Sequence, residues 1–186
     1  MLKNVKLPFL NYKRINLPFG NVMNRAAIVL LFLCAGLTAC KKSTEGGLAG
    51  YKAQATIDDN IIAKYLKDNP TLVAKKIDTS GVYYIVEQPG SGSDLFTNST
   101  SVTVGYTGKV LTTGKVFAQT QDFHPSFSLQ TVILGWKIGI PKIKKGGTVR
   151  LLMPSRYAYG PPPQPQLGLP ANAILDFEIT LYDIVN

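Results

Sequence analysis

Few residues in this 186-residue chain are suited to conventional catalysis. His124 is the only histidine, and Cys34 and Cys40 are the only cysteines. The sequence contains no Gly-x-Ser-x-Gly elbow, no Gly-Lys-Ser and no Gly-x-Gly-x-x-Gly. A serine or cysteine hydrolase, a zinc site and a phosphate-binding loop therefore lack the residues they need. We expect His124 to be a loop residue, we expect no metal and no cofactor, and we expect any chemistry to come from apolar surface.

The only tryptophan, Trp136, lies in a dense apolar stretch that runs from Val132 to Ile140 and ends at Pro141. Gly135 and Gly139 leave room for only a short helix in this stretch. Strand-like segments on both sides favour a sheet that is folded around the helix.

Alternating or β-branched segments predict the strands of that sheet. They are residues 82–86, 101–106, 115–117, 127–129, 148–153 and 173–181. The last segment alternates most strictly, with Leu175, Phe177 and Ile179 on one face and Asp176 and Glu178 on the other. This pattern predicts an α+β domain over residues 81–186, with antiparallel strands folded around one short helix and one sheet face half exposed.

Several sequence blocks in this region resemble the FKBP-type peptidyl-prolyl cis-trans isomerases. The blocks are Val102 to Gly108, Gly114 to Phe117, Val132 to Trp136, Tyr157 to Gly160, Leu169 to Ala173, and Leu175-x-Phe177. The resemblance covers about residues 81–186 and implies the same fold, in which a curved antiparallel sheet wraps around one short helix. It also implies an activity on X-Pro peptide bonds of proline-containing polypeptides.

The resemblance assigns roles to nine residues. Trp136 would be the floor beneath the substrate proline ring. Tyr159 would donate its hydroxyl to a substrate carbonyl, and the backbone N–H of Ile133 would bind another. The walls would be Tyr106, Phe117, Phe127, Val132, Ile133, Leu169 and Phe177. Of these nine, Tyr106, Phe117, Trp136, Tyr159 and Phe177 form the expected catalytic set, and Phe127, Val132, Ile133 and Leu169 the expected substrate-binding set.

The chain departs from the family pattern at Ala118. Members commonly have an aspartate after the phenylalanine of Gly-Lys-x-Phe, and here Ala118 and Gln119 follow Phe117. The missing acid favours weaker activity and weaker macrolide binding, and Asp122 is a candidate to replace it. Clustered prolines at 161–165 stiffen the loop expected over the pocket toward polyproline II. Two hypotheses stay open: an isomerase, or a non-catalytic peptide-binding or chaperone module of the cell envelope with the same fold.

The formal charge of +9 is concentrated before Cys40. Five of the 20 Lys and Arg residues lie there without any acid, which leaves 15 basic against 11 acidic residues in the rest of the chain. No basic stripe is interleaved with aromatic residues, so nucleic-acid binding is not expected.

Residues 23–39 have the pattern of a secretory signal, in which Arg25 precedes an apolar run and small residues precede Cys40. The run is shorter than the roughly 20 residues of a membrane-spanning helix. Leu37-Thr38-Ala39-Cys40 resembles a bacterial lipobox, which implies lipidation at Cys40 and a protein anchored in the bacterial envelope, facing the periplasm. Residues 1–22 fit no part of this signal, so we expect translation to start at Met23.

Two segments connect the predicted anchor to the domain. Residues 40–54 are polar and glycine-containing, which predicts a flexible tether. Residues 55–80 are predicted to form a helical extension that Thr56 caps and that Asn69-Pro70 ends. Its amphipathic stripe is expected to pack on the following domain or on a second copy, and consists of Ile57, Ile61, Ile62, Tyr65 and Leu66.

Overall fold

The computed structural model describes residues 47–186. The expected start at Met23, the signal segment and lipidation at Cys40 lie outside these residues. No helix within the described part is long and apolar enough to cross a membrane. The helices are α1 (Leu48–Asp68) and α2 (Leu134–Gly139). The strands are β1 (Lys75–Lys76), β2 (Tyr83–Gln88), β3 (Ser101–Val110), β4 (Val116–Gln119), β5 (Ser126–Ser128), β6 (Thr148–Met153) and β7 (Leu175–Val185).

These strands form one antiparallel sheet in the order β1-β2-β6-β7-β3-β4, with β5 also paired to β3. The long central strands place Val104 opposite Leu181 and Tyr106 opposite Ile179. One face of the sheet buries Val104, Leu181 and Ile179 together with Trp136 and the adjoining Ile140, and the partly buried Tyr106 packs against them. The predicted fold class, an antiparallel sheet around one short helix, is confirmed.

Two glycines allow α2 to lie directly against β6. A Cβ atom on Gly135 would overlap Met153, and one on Gly139 would overlap the Leu151 side chain. Because protein interiors are packed at crystal-like density, larger residues here would push α2 off the sheet. The helix continues as a 3-10 turn, Ile140–Lys142, which contains Pro141. This close approach sets the depth at which Trp136 sits.

The start of α1 differs from the sequence prediction. The helix begins at Leu48, so residues 48–54 are helical and do not belong to a flexible tether. The Thr56 hydroxyl does not cap the helix but bonds to the carbonyl of Lys52, one turn earlier, at 3.1 Å. Alanine, lysine and glutamine are good helix formers, and their presence at positions 49–55 outweighs the single Gly50.

Helix α1 packs on the sheet face opposite to α2. Ile62 is fully buried there against Leu111, Leu152 and Ile174, with Tyr65 beside them. The amphipathic stripe thus contacts its own domain, although Ile57 is half exposed. Arg150 bridges the two layers, because it donates to both oxygens of Asp176 at 2.8 Å and to the Tyr65 hydroxyl at 2.7 Å. Asp176, expected on an exposed face, is therefore covered.

Candidate active site

An aromatic cavity of about 290 Å³ opens above α2. Eight of the nine side chains predicted for the pocket line it, and Leu169 does not. The complete lining is Tyr106, Phe117, Ala118, Phe127, Thr131, Val132, Ile133, Trp136, Tyr159, Leu167 and Phe177. The volume is at the small end of the range for ligand pockets, about 300 Å³ and upward, which suits a proline ring and its flanking peptide bonds.

Trp136 contacts three of the other aromatic side chains in this cavity. Its indole meets Tyr106 at a centroid distance of 5.1 Å, Phe177 at 5.2 Å and Phe127 at 5.9 Å, each close to perpendicular. Perpendicular packing is favourable because the positive edge of one ring meets the negative face of another. The indole is 5 % exposed, and its nitrogen is buried with no hydrogen-bond partner within residues 47–186. The rings therefore fix Trp136 as a rigid, apolar base.

Four separate elements carry the aromatic walls. Tyr106 lies on β3, Phe117 on β4, Phe127 on β5 and Phe177 on β7. Pairing of β3 with β4, β5 and β7 brings these strands side by side. The sheet register therefore assembles residues that are far apart in the chain.

Ile133 and Val132 lie in the segment that leads into α2. The carbonyl of Ile133 accepts hydrogen bonds from the backbone N–H of Trp136 at 3.0 Å and of Lys137 at 3.2 Å. These bonds form the first turn of α2 and fix the Ile133 backbone at the cavity wall. The predicted role of its N–H in binding a substrate carbonyl remains a prediction.

Tyr159 contributes to the lining of the cavity. It follows a 3-10 turn, Ser155–Tyr157, and its side chain is half-buried. Burial, together with the nearby Tyr106, raises the pKa of Tyr159 above its ordinary value. The hydroxyl therefore keeps its proton at neutral pH and is available as a hydrogen-bond donor.

Leu169 was predicted as a pocket wall and is instead a core residue. It is 3 % exposed and packs in the main cluster, whereas Leu167 lines the cavity. Between them, Gly168 adopts a left-handed conformation with φ 64°, and the chain reverses so that Gln164 pairs with Leu169. Because of this reversal, Leu167 faces the cavity and Leu169 faces the core. Gly168 is the sequence signal for this turn.

Ala118 lines the cavity at the position where the family pattern has an acid. Asp122, the candidate substitute, is exposed and lies in a neighbouring depression with Phe123 and Pro125. That depression shares Tyr106 and Phe127 with the cavity. His124 lies in the same loop and stacks on Tyr182, with ring centroids 3.9 Å apart.

A second cavity of about 340 Å³ lies beside the first turns of α1. Glycines, Tyr51, Arg156 and Pro161 contribute to its lining, which holds no cluster of rings. The described residues also contain no group of three or more His, Cys, Asp or Glu placed to hold a metal ion. The aromatic cavity is therefore the better candidate for an active site that acts on an apolar ring.

An antiparallel sheet wrapped around a short helix, with an aromatic cavity above that helix, defines an FKBP-like protein. The family model of the FKBP-type peptidyl-prolyl cis-trans isomerases matches residues 92–182. FK506-binding protein 1 of Saccharomyces cerevisiae is 37% identical over 100 residues, which are 52% of this chain and 86% of the yeast protein. The chain belongs to the FKBP-type peptidyl-prolyl cis-trans isomerase family.

Two further comparisons extend beyond the core domain. FkpA of Buchnera aphidicola is 38% identical over 123 residues, which are 66% of this chain and 50% of FkpA. The chain thus spans about half the length of that relative. A crystal structure of a peptidyl-prolyl cis-trans isomerase from Pseudomonas syringae has a TM-score of 0.61 at 26% identity, and the match covers 73% of this chain and 96% of that one.

Proposed function

We propose that this protein is a peptidyl-prolyl cis-trans isomerase that acts on X-Pro bonds of exported proteins. The observation that carries the proposal is the cavity in which Trp136 packs edge to face with Tyr106 and Phe177, with Tyr159 in its lining. Tyr106, Phe117, Trp136, Tyr159 and Phe177 would contact the reacting proline, and Phe127, Val132, Ile133 and Leu167 would hold the flanking residues.

The chemistry follows from amide resonance. Rotation about the X–Pro bond faces a barrier of about 18–20 kcal/mol because twisting removes the partial double bond. The planar form is charge-separated and is stabilised by water, so transfer to an aromatic cavity disfavours it relative to the less polar twisted form. Preferential binding of the twisted amide is sufficient for catalysis, and each tenfold acceleration corresponds to about 1.4 kcal/mol. A hydrogen bond from the protonated Tyr159 hydroxyl to a substrate carbonyl would add to that preference.

The second candidate function is a binding module that retains the cavity without turnover. Ala118 favours it, because the cavity wall there offers a methyl group where the family pattern has a carboxylate. Such a module would hold extended or proline-rich segments of an envelope protein.

A protease-free isomerisation assay on proline peptides separates the two functions. The enzyme predicts acceleration by the wild-type protein that the combination of Tyr159→Phe and Trp136→Ala abolishes. Peptide binding without any acceleration supports the module instead. Asp68→Asn, an exposed change on α1 at the Lys64 ion pair, is the matched control and should leave the rate unchanged.

The same proposal includes the cellular location. The signal pattern at 23–39 and the lipobox-like sequence before Cys40 support an exported, lipid-anchored protein on the periplasmic side of a bacterial envelope. Labelling cells with a fatty acid should mark the wild-type protein and not a Cys40→Ala variant. Equal labelling of both would exclude this anchor.

A further inference from the structure

Asp58 places a carboxylate in the interface between α1 and the domain. It is 0 % exposed although it belongs to a surface helix. Its oxygens accept three hydrogen bonds, from Gln54 Nε2 at 2.7 Å, from the Ser155 backbone N–H at 2.8 Å and from Ser155 Oγ at 2.6 Å. A buried carboxylate is tolerated when its lone pairs are satisfied in this way.

Ser155 connects Asp58 to the segment that carries Tyr159. Its N–H and Oγ both donate to Asp58, while its carbonyl accepts from the backbone N–H of Ala158 and of Gly160, each at 2.9 Å. Ala158 and Gly160 are the two neighbours of Tyr159 in the chain. Ser155, which is bound to Asp58, thus fixes the residues on both sides of Tyr159.

Arg156, which follows Ser155, provides a second set of hydrogen bonds between the 3-10 turn and α1. Arg156 donates to Asp59 Oδ1 at 2.7 Å, to the Ser80 carbonyl at 2.8 Å and to the Ala55 carbonyl at 3.3 Å. Its side chain is only 10% exposed. Consecutive residues of the 3-10 turn therefore bind consecutive acids of α1, which fixes the direction of the turn as well as its position.

Helix α1 does not need these hydrogen bonds in order to pack on the sheet. Ile62 already packs the helix on the sheet, and replacing both partners of a buried hydrogen bond by apolar groups of the same shape can be nearly neutral. Hydrogen bonds to a carboxylate are short and directional, so they fix geometry that apolar contacts leave loose. Among the cavity-lining residues in the described part of the chain, Tyr159 is the one that lies next to this turn in sequence.

We propose that Asp58 is a positioning residue for Tyr159 and acts through Ser155. Helix α1 is then a part of the active-site scaffold, not only a connector to the N-terminal segment. This inference rests on the proposed isomerase function, and it specifies which residue outside the cavity sets the orientation of the tyrosine hydroxyl.

A double-mutant cycle in the full-length protein tests the inference. Displacement of a catalytic group by about 1 Å can cost up to roughly a hundredfold in rate. We expect Asp58→Ala to lower kcat/KM about 5- to 10-fold at a temperature where the variant is folded. In a Tyr159→Phe background the same change should cost nothing more, because the hydroxyl it positions is gone. An equal loss in both backgrounds, or no loss in the wild type, overturns the proposal.

Three further variants complete the test. Asp58→Asn keeps an acceptor for the Ser155 N–H and should lose less than Asp58→Ala; it carries the same cycle if the alanine variant does not fold. Ser155→Ala removes one of the two bonds from Ser155 and should fall between wild type and Asp58→Ala. Asp68→Asn, the same chemical change at an exposed site on α1, should leave kcat/KM unchanged. If Asp58→Asn costs as much as Asp58→Ala, the hydrogen bond is not the cause.

Hydrogen exchange separates this inference from the proposed function. In Asp58→Ala the amide protons of Ala158 and Gly160 should exchange at least about tenfold faster, and Asp68→Asn should not change them. Wild-type protein that does not accelerate isomerisation refutes the isomerase, and unchanged exchange at these two amides refutes the role of Asp58. Faster exchange without turnover would leave the coupling intact and refute only the enzyme.

Discussion

The rings of Phe117 and Phe177 meet edge to face, with centroids 5.4 Å apart and an interplanar angle of 85°. The contact lies over Gly108, which pairs with Phe177 across the β3–β7 ladder and with Ala118 across the β3–β4 ladder. A Cβ atom on Gly108 would lie 2.6 Å from Phe177 Cε1 and 2.9 Å from Phe117 Cζ. The absence of a side chain at this buried position is what allows two walls of the cavity to touch.

Gly108→Ala should therefore disturb the active site directly. Both rings would have to move, so we expect about 1–3 kcal/mol of lost stability and a fall of about tenfold in kcat/KM. Thermal unfolding and the peptide isomerisation assay measure the two effects. Gly50→Ala is the control, because a Cβ there meets nothing within 4 Å, and in a helix it should stabilise by up to about 1 kcal/mol. Unchanged kinetics in Gly108→Ala would contradict the proposed contact.

Leu167 and Leu169 should respond oppositely to truncation. Leu167→Ala removes a cavity wall, so kcat/KM should fall several-fold, while the loss of stability should stay below the roughly 2–5 kcal/mol of a fully buried leucine because Leu167 is only partly buried. Leu169→Ala leaves a void in the core and should cost about 2–5 kcal/mol of stability while the folded fraction keeps its kcat/KM. Chemical denaturation and the isomerisation assay distinguish them. The reverse pattern would restore Leu169 as the pocket residue.

Ala118→Asp should preserve or raise turnover. Ala118 lines the cavity together with the aromatic residues, so a carboxylate at this position would restore the family pattern. We expect kcat/KM between 1 and about 10 times that of the wild type, the range that one additional hydrogen bond can supply. Gln119→Asp adds the same charge to the neighbouring residue, which does not line the cavity, and should have no effect. A sharp loss of activity in Ala118→Asp would contradict the position assigned to this residue.

Glu87 should make stability fall slightly as pH rises through the acidic range. Partial burial, then Glu178, raise the pKa of Glu87, while Arg150 opposes the shift. Folding thus favours the protonated form, and the stabilisation present below the ordinary glutamate pKa of about 4.3 is lost as pH rises through the raised value. Glu87→Gln should increase Tm at pH 7 by up to about 2 °C, a small effect because solvent screens the side chain. The gain should vanish at pH 3, and an equal gain at both pH values would contradict the assignment.

Sequence patterns predicted most of the strands because each alternates with a period of two over a buried sheet face. The resemblance to the FKBP-type isomerases assigned nine residues to the pocket, and eight of them are among the eleven that line the cavity. The patterns were wrong where a single backbone feature decides the outcome. The left-handed turn at Gly168 places Leu167, and not Leu169, at the cavity. Helix α1 begins at Leu48, nine residues before Ile57, where its apolar stripe starts.

From the sequence alone came the α+β class, the short helix with the only tryptophan, and an apolar site in place of conventional catalytic groups. These follow from composition and from the spacing of apolar residues, which are local properties of the chain. Only the tertiary structure decided that Asp58 is buried against Ser155, 97 positions away, and that Gly108 lies under two aromatic rings. Such contacts depend on strand register and on how a helix docks across the sheet, and neither leaves a local signature in the sequence.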